Sequence, residues 1–174
     1  LIFNIYSYKK KREHFSNNKN DILVLIFSCK KYRNRIDILK RNGYLEHLNK
    51  NGLDYLVVTG DENIEEDFKL DQKNHSLIVK EKDTYEGLPY KVVKTFYTIN
   101  KIFNYIFIVK SDDDCMINAR KLIDNKDKYK GEDYIGRLNN FENTYNPNWN
   151  GLKNRSKYYG PYMNGGTGYI LSKG

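Results

Sequence analysis

Three consecutive carboxylates, Asp112, Asp113 and Asp114, follow directly on the run Tyr105-Ile106-Phe107-Ile108-Val109-Lys110-Ser111. Tyr105 to Val109 are apolar or aromatic and largely β-branched, which predicts a buried strand. In an open α/β sheet, ligands bind outside the carboxyl ends of the strands. Three carboxylates at such a place repel one another unless positive charge sits among them. A hard divalent cation, liganded by oxygen and completed by substrate phosphates, answers that need. The spacing lets Asp112 and Asp114 reach one ion while Asp113 turns elsewhere. The competing reading is a solvated acidic loop, and the strand in front of the triplet weighs against it by fixing the carboxylates at one depth.

The elements that must position such a site are legible around it. Asp21 to Ser28 predicts a central strand, apolar on both faces. Ile36, Leu39, Leu45 and Leu48 predict an amphipathic helix interrupted near Gly43. Asp54 to Thr59 predicts a second strand, completing a β-α-β unit. Asp61 to Asn74 reads as an acidic loop with a short helix, and Leu77 to Val79 as a brief third strand. A helix opens near Pro89, a tolerated first-turn position. Its apolar face is Val92, Phe96, Ile99 and Phe103, with Lys91 and Lys94 beside it as solvated lysines when taken alone. Beyond the triplet, Met116 to Asn118 reads as extended, Ala119 to Lys130 as a polar helix and Asp133 to Arg137 as a short strand. Asn139 to Lys157 reads as a long loop carrying Pro147 and Trp149.

Composition sets the outer limits. The 174 residues suffice for one domain with a real core, and 16 Tyr with 8 Phe supply large buried area. A net charge of +8, from 30 Lys and Arg against 22 Asp and Glu, favours anionic partners. Lysine is spread along the chain, so nucleic acid is not expected as a partner. Cys29 and Cys115 are the two cysteines; they make neither a disulfide framework nor the spacing of a zinc site. GxGxxG and P-loop signatures are absent. No apolar run approaches the ~20 residues that span a bilayer. Leu1 to Asn20, with the basic cluster Lys9 to Arg12, reads as a stem or linker, and 21–174 as the domain. Because the first residue is Leu, a membrane anchor or signal is expected only upstream, unseen.

Taken in order, these segments resemble the beta-1,3-galactosyltransferase and fringe-like enzymes of glycosyltransferase family 31, over roughly Asp21 to Ser172. Ile108 to Asn118 is similar to that family's strand, Lys-x-Asp-Asp-Asp and following segment. Asp83-Thr84-Tyr85 with Leu88 and Lys91 looks like its Asp-Ser-Tyr…Leu-Thr-Leu-Lys segment. Tyr159-Gly160-Pro161-Tyr162-Met163-Asn164-Gly165-Gly166-Thr167-Gly168-Tyr169-Ile170-Leu171-Ser172 resembles its Tyr-Pro-x-Tyr-x-x-Gly-x-Gly-Tyr-x-Leu-Ser block.

The resemblance implies an α/β GT-A fold, a nucleotide-sugar-binding sandwich with a mixed, mostly parallel central sheet flanked by helices. It implies metal-dependent, inverting transfer of a hexose, of galactose or N-acetylglucosamine type, from a UDP-sugar to a hydroxyl of a glycan or glycoprotein acceptor. The metal expected is Mn2+ or Mg2+, on Asp114 with Asp112 (the DxD motif). Arg33 and Arg35 are placed near the nucleotide. Asp83, Lys91, Asp112 and Asp113 are placed with the donor, and Gly165, Gly166 and Gly168 where the backbone nears donor and acceptor. The chain departs from the family at Lys40-Arg41-Asn42-Gly43-Tyr44, in place of an Arg-x-Thr-Trp ending. The family's acidic segment, carrying the catalytic base, is expected beyond Gly174, and Glu132, Asp133 and Glu142 are not candidates for it. The segment is therefore expected to hold a donor without completing efficient transfer by itself. The resemblance implies the Golgi lumen, while the sparse cysteines keep a cytoplasmic setting open. Two other classes remain from the residues themselves: a non-catalytic nucleotide-sugar or glycan-binding module, and a metal-dependent phosphohydrolase built on the Asp cluster.

Overall fold

The computed structural model describes residues 21–139, 162–163, 165–166 and 168–172. The expected stem, most of the Asn-rich loop and the last two residues lie outside them. Among the described residues the fold is α/β, a mixed sheet between two helical layers.

Strand β1 (Ile22–Phe27) is buried at all six positions, as a strand covered on both faces must be. It lies between β2 (Asp54–Gly60) and β5 (Phe107–Asp112), parallel to both. The register runs from Ile22 opposite Phe107 to Phe27 opposite Asp112. Outside β2 come β4 (Ser76–Val79), parallel, and then β3 (Phe68–Asp71), antiparallel. On the far side of β5, the antiparallel strands β9 (Tyr169–Ser172) and β6 (Tyr134–Gly136) finish the seven-stranded order β3-β4-β2-β1-β5-β9-β6. Three pairings are parallel and three antiparallel, the parallel ones confined to the central four strands. A separate ribbon pairs β7 (Leu138–Asn139) with β8 (Tyr162–Met163).

The helices cover the two faces by crossing over. Helices α1 (Arg33–Arg41) and α2 (Tyr44–Lys50) join β1 to β2, and Gly43, at φ +77°, breaks the run between them as expected. With α4 (Ala119–Asp124) they cover Ile22, Val24, Ile26, Phe107 and Val109. The long helix α3 (Leu88–Ile102), with Pro89 in its first turn, covers Leu23, Leu25, Phe27, Leu56 and Val58 on the other face. The side-chain alternation of β1 and β5 thus feeds two separate cores. No helix among the described residues is long and apolar enough to cross a membrane.

Four expectations are corrected. Residues 68–71, expected as loop, form β3, because Phe68 and Leu70 alternate with polar neighbours and pack on the α3 core. Met116 to Asn118 is not a strand; the Asn118 side chain accepts the Lys121 amide at 2.9 Å and caps α4. The polar helix stops at Asp124 and continues as a 3-10 turn over Lys126–Tyr129. Lys91 is not solvated but buried, for the reason given next.

Candidate active site

The four parallel strands end on the same side of the sheet, and the turns that follow them gather there. Between β1 and β5 the connections leave in opposite directions, the arrangement that opens a crevice at strand ends. Ser28 closes the apolar run of β1, and its hydroxyl donates to Asp113 Oδ2 at 2.7 Å. The Asp113 amide donates to the Phe27 carbonyl at 3.1 Å, so β1 holds the triplet by both backbone and side chain. Arg35, from the first turns of α1, donates through Nη1 to Asp113 Oδ1 at 2.9 Å and to Asp114 Oδ2 at 3.3 Å. Its guanidinium lies 4.3 Å from the Tyr32 ring centroid, which fixes its direction. The bond to Asp113 raises the Arg35 pKa further above its ordinary value.

The three carboxylates consequently differ. The Asp113 side chain is 6% exposed and engaged on both oxygens. Asp114 is 58% exposed, with Arg35 on Oδ2 and the Cys115 thiol 3.6 Å from Oδ1. Asp112 stands between them, about a third exposed, and Lys110 Nζ donates to its Oδ1. Burial pushes the Asp112 pKa up, Lys110 opposes that, and Asp114 and Asp113 add to it. The alternating strand explains the Lys110 contact: residues two apart on β5 share a face.

A second cluster braces the site. Asp83 Oδ1 accepts from the Gly60 amide at 2.9 Å and from Lys91 Nζ at 2.8 Å, while Oδ2 accepts from the Lys30 amide at 2.7 Å. Lys91 Nζ also donates to the Ser28 carbonyl at 2.8 Å. One buried ion pair therefore ties the ends of β1 and β2 to the start of α3. With both oxygens of Asp83 taken and the Lys91 side chain 3% exposed, the pair is satisfied by the contacts that join these elements. Lys30 Nζ pairs with Asp61 Oδ2 at 2.7 Å on its rim.

The glycine block closes the side next to β5. Lys110 Nζ donates to the Gly165 carbonyl at 2.9 Å. The Cys115 thiol donates to the Gly166 carbonyl at 2.7 Å. Gly168 has φ +85°, and a Cβ there would stand 2.7 Å from the Lys110 carbonyl, so both conformation and contact require glycine. Beside it, burial, with Tyr134 and Asp112 nearby, pushes the Tyr169 hydroxyl up to about 12. Cys29 and Cys115 are free thiols.

The structure thus gathers Arg35, Asp83, Lys91, Asp112, Asp113, Asp114, Gly165, Gly166 and Gly168 around one edge. Arg33 is exposed on α1 and pairs with no acid among the described residues. Sequence reasoning gave no role to Ser28, Lys30, Lys110 or Tyr169. The signal for Lys110 was its place two residues before Asp112, and for Ser28 the lone hydroxyl ending an apolar strand.

For a divalent cation, no group of three or more His, Cys, Asp or Glu among the described residues forms a protein-only cage. A pair of carboxylates, Asp114 open and Asp112 partly so, is a donor set suited to Mg2+ or Mn2+, which keep water and substrate phosphates as further ligands. The residues fit the ion.

No curated protein sequence matched the chain in a sequence comparison. The family model for galactosyltransferase matches residues 47–174, from α2 through the triplet and the glycine block. Ser28, Lys30 and Arg35 precede the matched residues and are placed in the site by the fold. With well over half of its length matched, this chain belongs to the galactosyltransferase family.

Proposed function

We propose that this glycosyltransferase is a metal-dependent inverting hexosyltransferase, moving a galactose- or N-acetylglucosamine-type hexose from a UDP-sugar to a glycan hydroxyl. Family membership carries the coarser part, a transferase whose partners are a sugar donor and an acceptor. The observation that supports the metal-dependent part is the unequal triplet at the end of β5. Asp113 is consumed by Ser28 and Arg35, while Asp114 is 58% and Asp112 30% exposed.

In this reading Asp114, with Asp112, holds Mn2+ or Mg2+. The bound ion supplies electrostatic stabilisation of the charge that develops on the leaving diphosphate. Arg35 holds Asp113 inward and steadies Asp114. The Asp83–Lys91 pair keeps the turns after β1 and β2 where a nucleotide can lie against them. Gly168 brings the backbone of the glycine block onto β5 without a side chain between. Inversion also needs a carboxylate base at the acceptor hydroxyl, worth roughly 100- to 10,000-fold. No described carboxylate is assigned to it; Asp133 accepts from the Ser172 hydroxyl at 3.4 Å at the far edge of the sheet.

Calorimetric titration of UDP, with and without Mn2+, beside Asp114→Ala, tests the reading. Binding that needs Mn2+ and is lost in the variant is the expected result. Absence of UDP binding by folded protein overturns it.

A further inference from the structure

We propose that Lys110 is the resident counter-ion of Asp112, a positioning residue that competes with the divalent cation for that carboxylate and so makes cation binding depend on the donor. The inference rests on the metal reading above.

The Lys110 side chain is 6% exposed, a depth at which an ammonium group requires partners. It has two acceptors, Asp112 Oδ1 and the Gly165 carbonyl. It also lies 5.6 Å from the Phe27 ring centroid. The Gly165 carbonyl accepts a second bond, from the Gly168 amide at 3.3 Å, so the ammonium is built into the glycine turn. A cation at Asp112 and Asp114 draws on a carboxylate whose Oδ1 Lys110 already holds. It also meets a fixed positive charge close by, in a half-buried place where Coulomb interactions exceed those in water. Cation binding alone is therefore opposed. A diphosphate arriving with the cation brings negative charge that cancels the opposition, so cation and donor enter as a pair. When the cation takes Asp112, two positive charges share that carboxylate, and its tie through Lys110 to the glycine turn weakens.

Lys110→Gln tests this, because the amide can still donate to Gly165 and Asp112 while the charge is gone. Mn2+ affinity is measured by electron paramagnetic resonance of the free ion, without and with UDP. Mn2+ alone is expected to bind the variant roughly tenfold more tightly than the unaltered protein. The gain in Mn2+ affinity conferred by UDP is expected to shrink. Lys110→Arg, which keeps the charge, is expected to remain within about twofold of the unaltered protein. Unchanged or weaker Mn2+ binding by Lys110→Gln overturns the inference alone, whereas no Mn2+ binding by the unaltered protein with UDP present overturns the metal reading with it. Should Lys110→Gln not fold, hydrogen exchange in the unaltered protein decides. Mn2+ is expected to speed exchange in the peptide carrying Gly165, Gly166 and Gly168, and unchanged exchange overturns the inference.

Discussion

The two ends of the parallel sheet handle buried charge in different ways. At the amino end, Asp54 at the start of β2 is buried, and the Tyr105 hydroxyl donates to its Oδ2 at 2.7 Å. Aromatic rings crowd the place, with Phe103 and Tyr105 at 5.7 Å between centroids. The partner shown is neutral. At the carboxyl end, Asp83, Asp112, Asp113 and Asp114 face Arg35, Lys91 and Lys110, and Asp114 stands open. Charged partners shared among several carboxylates leave capacity for a further ion. The proposed ligand chemistry falls at the end where charge is balanced collectively rather than bond by bond.

The contrast is broken most severely at Lys91. Lys91→Met leaves Asp83 buried without its cation and frees the Ser28 carbonyl, and truncating one member of a buried pair costs about 3–5 kcal/mol. Denaturant unfolding should show that loss, with UDP binding falling alongside. Asp114→Ala separates function from stability. It should weaken Mn2+-dependent UDP binding on the order of 100-fold, while unfolding free energy stays within about 0.5 kcal/mol, since the side chain is largely exposed. Tyr105→Phe should do the opposite, lowering stability by about 1.5–2 kcal/mol while UDP binding is unchanged, because a bond to a charged group is lost far from the crevice.

The amino end also carries a pH signature. Burial, with the bond to Asp54 and its charge, raises the Tyr105 pKa above its ordinary value. The unfolded chain then releases this proton at lower pH than the folded one. The contribution is complete below about pH 10, the unfolded tyrosine value, and declines as pH rises beyond it. The stability gap between the unaltered protein and Tyr105→Phe should narrow above about pH 10 in equilibrium unfolding.

How far the sequence reaches depends on what kind of signal each element leaves. β1, β2, β4 and α3 were legible because continuous apolar runs, period-3.6 spacing and Pro89 each have one structural meaning. β3 was hidden in an acidic stretch, since two apolar residues in a four-residue edge strand are too few to show a period. The Asp triplet and glycine block were legible as chemistry-bearing residues. Asp113 was expected to turn away from Asp112 and Asp114, but the partners that hold it, Ser28 and Arg35, arrive from β1 and α1 and left no local signal. Lys91 illustrates the same limit, because one turn of helix looks alike in sequence whether its lysine meets water or Asp83.

The place of β9 has a consequence for synthesis. It pairs with β5 and is far from it in sequence, whereas β1, β2, β4 and β5 all precede it. A chain emerging from the ribosome can assemble the parallel core, with Ser28, Arg35 and Lys91 in place, while β5 is still an uncovered border. Uncovered strands invite pairing with other chains. Lys110 and Asp112 project charge from that border until β9 arrives. The residues that hold the glycine turn in the finished protein thus place charge on the border that is paired last, a feature that disfavours edge-to-edge pairing.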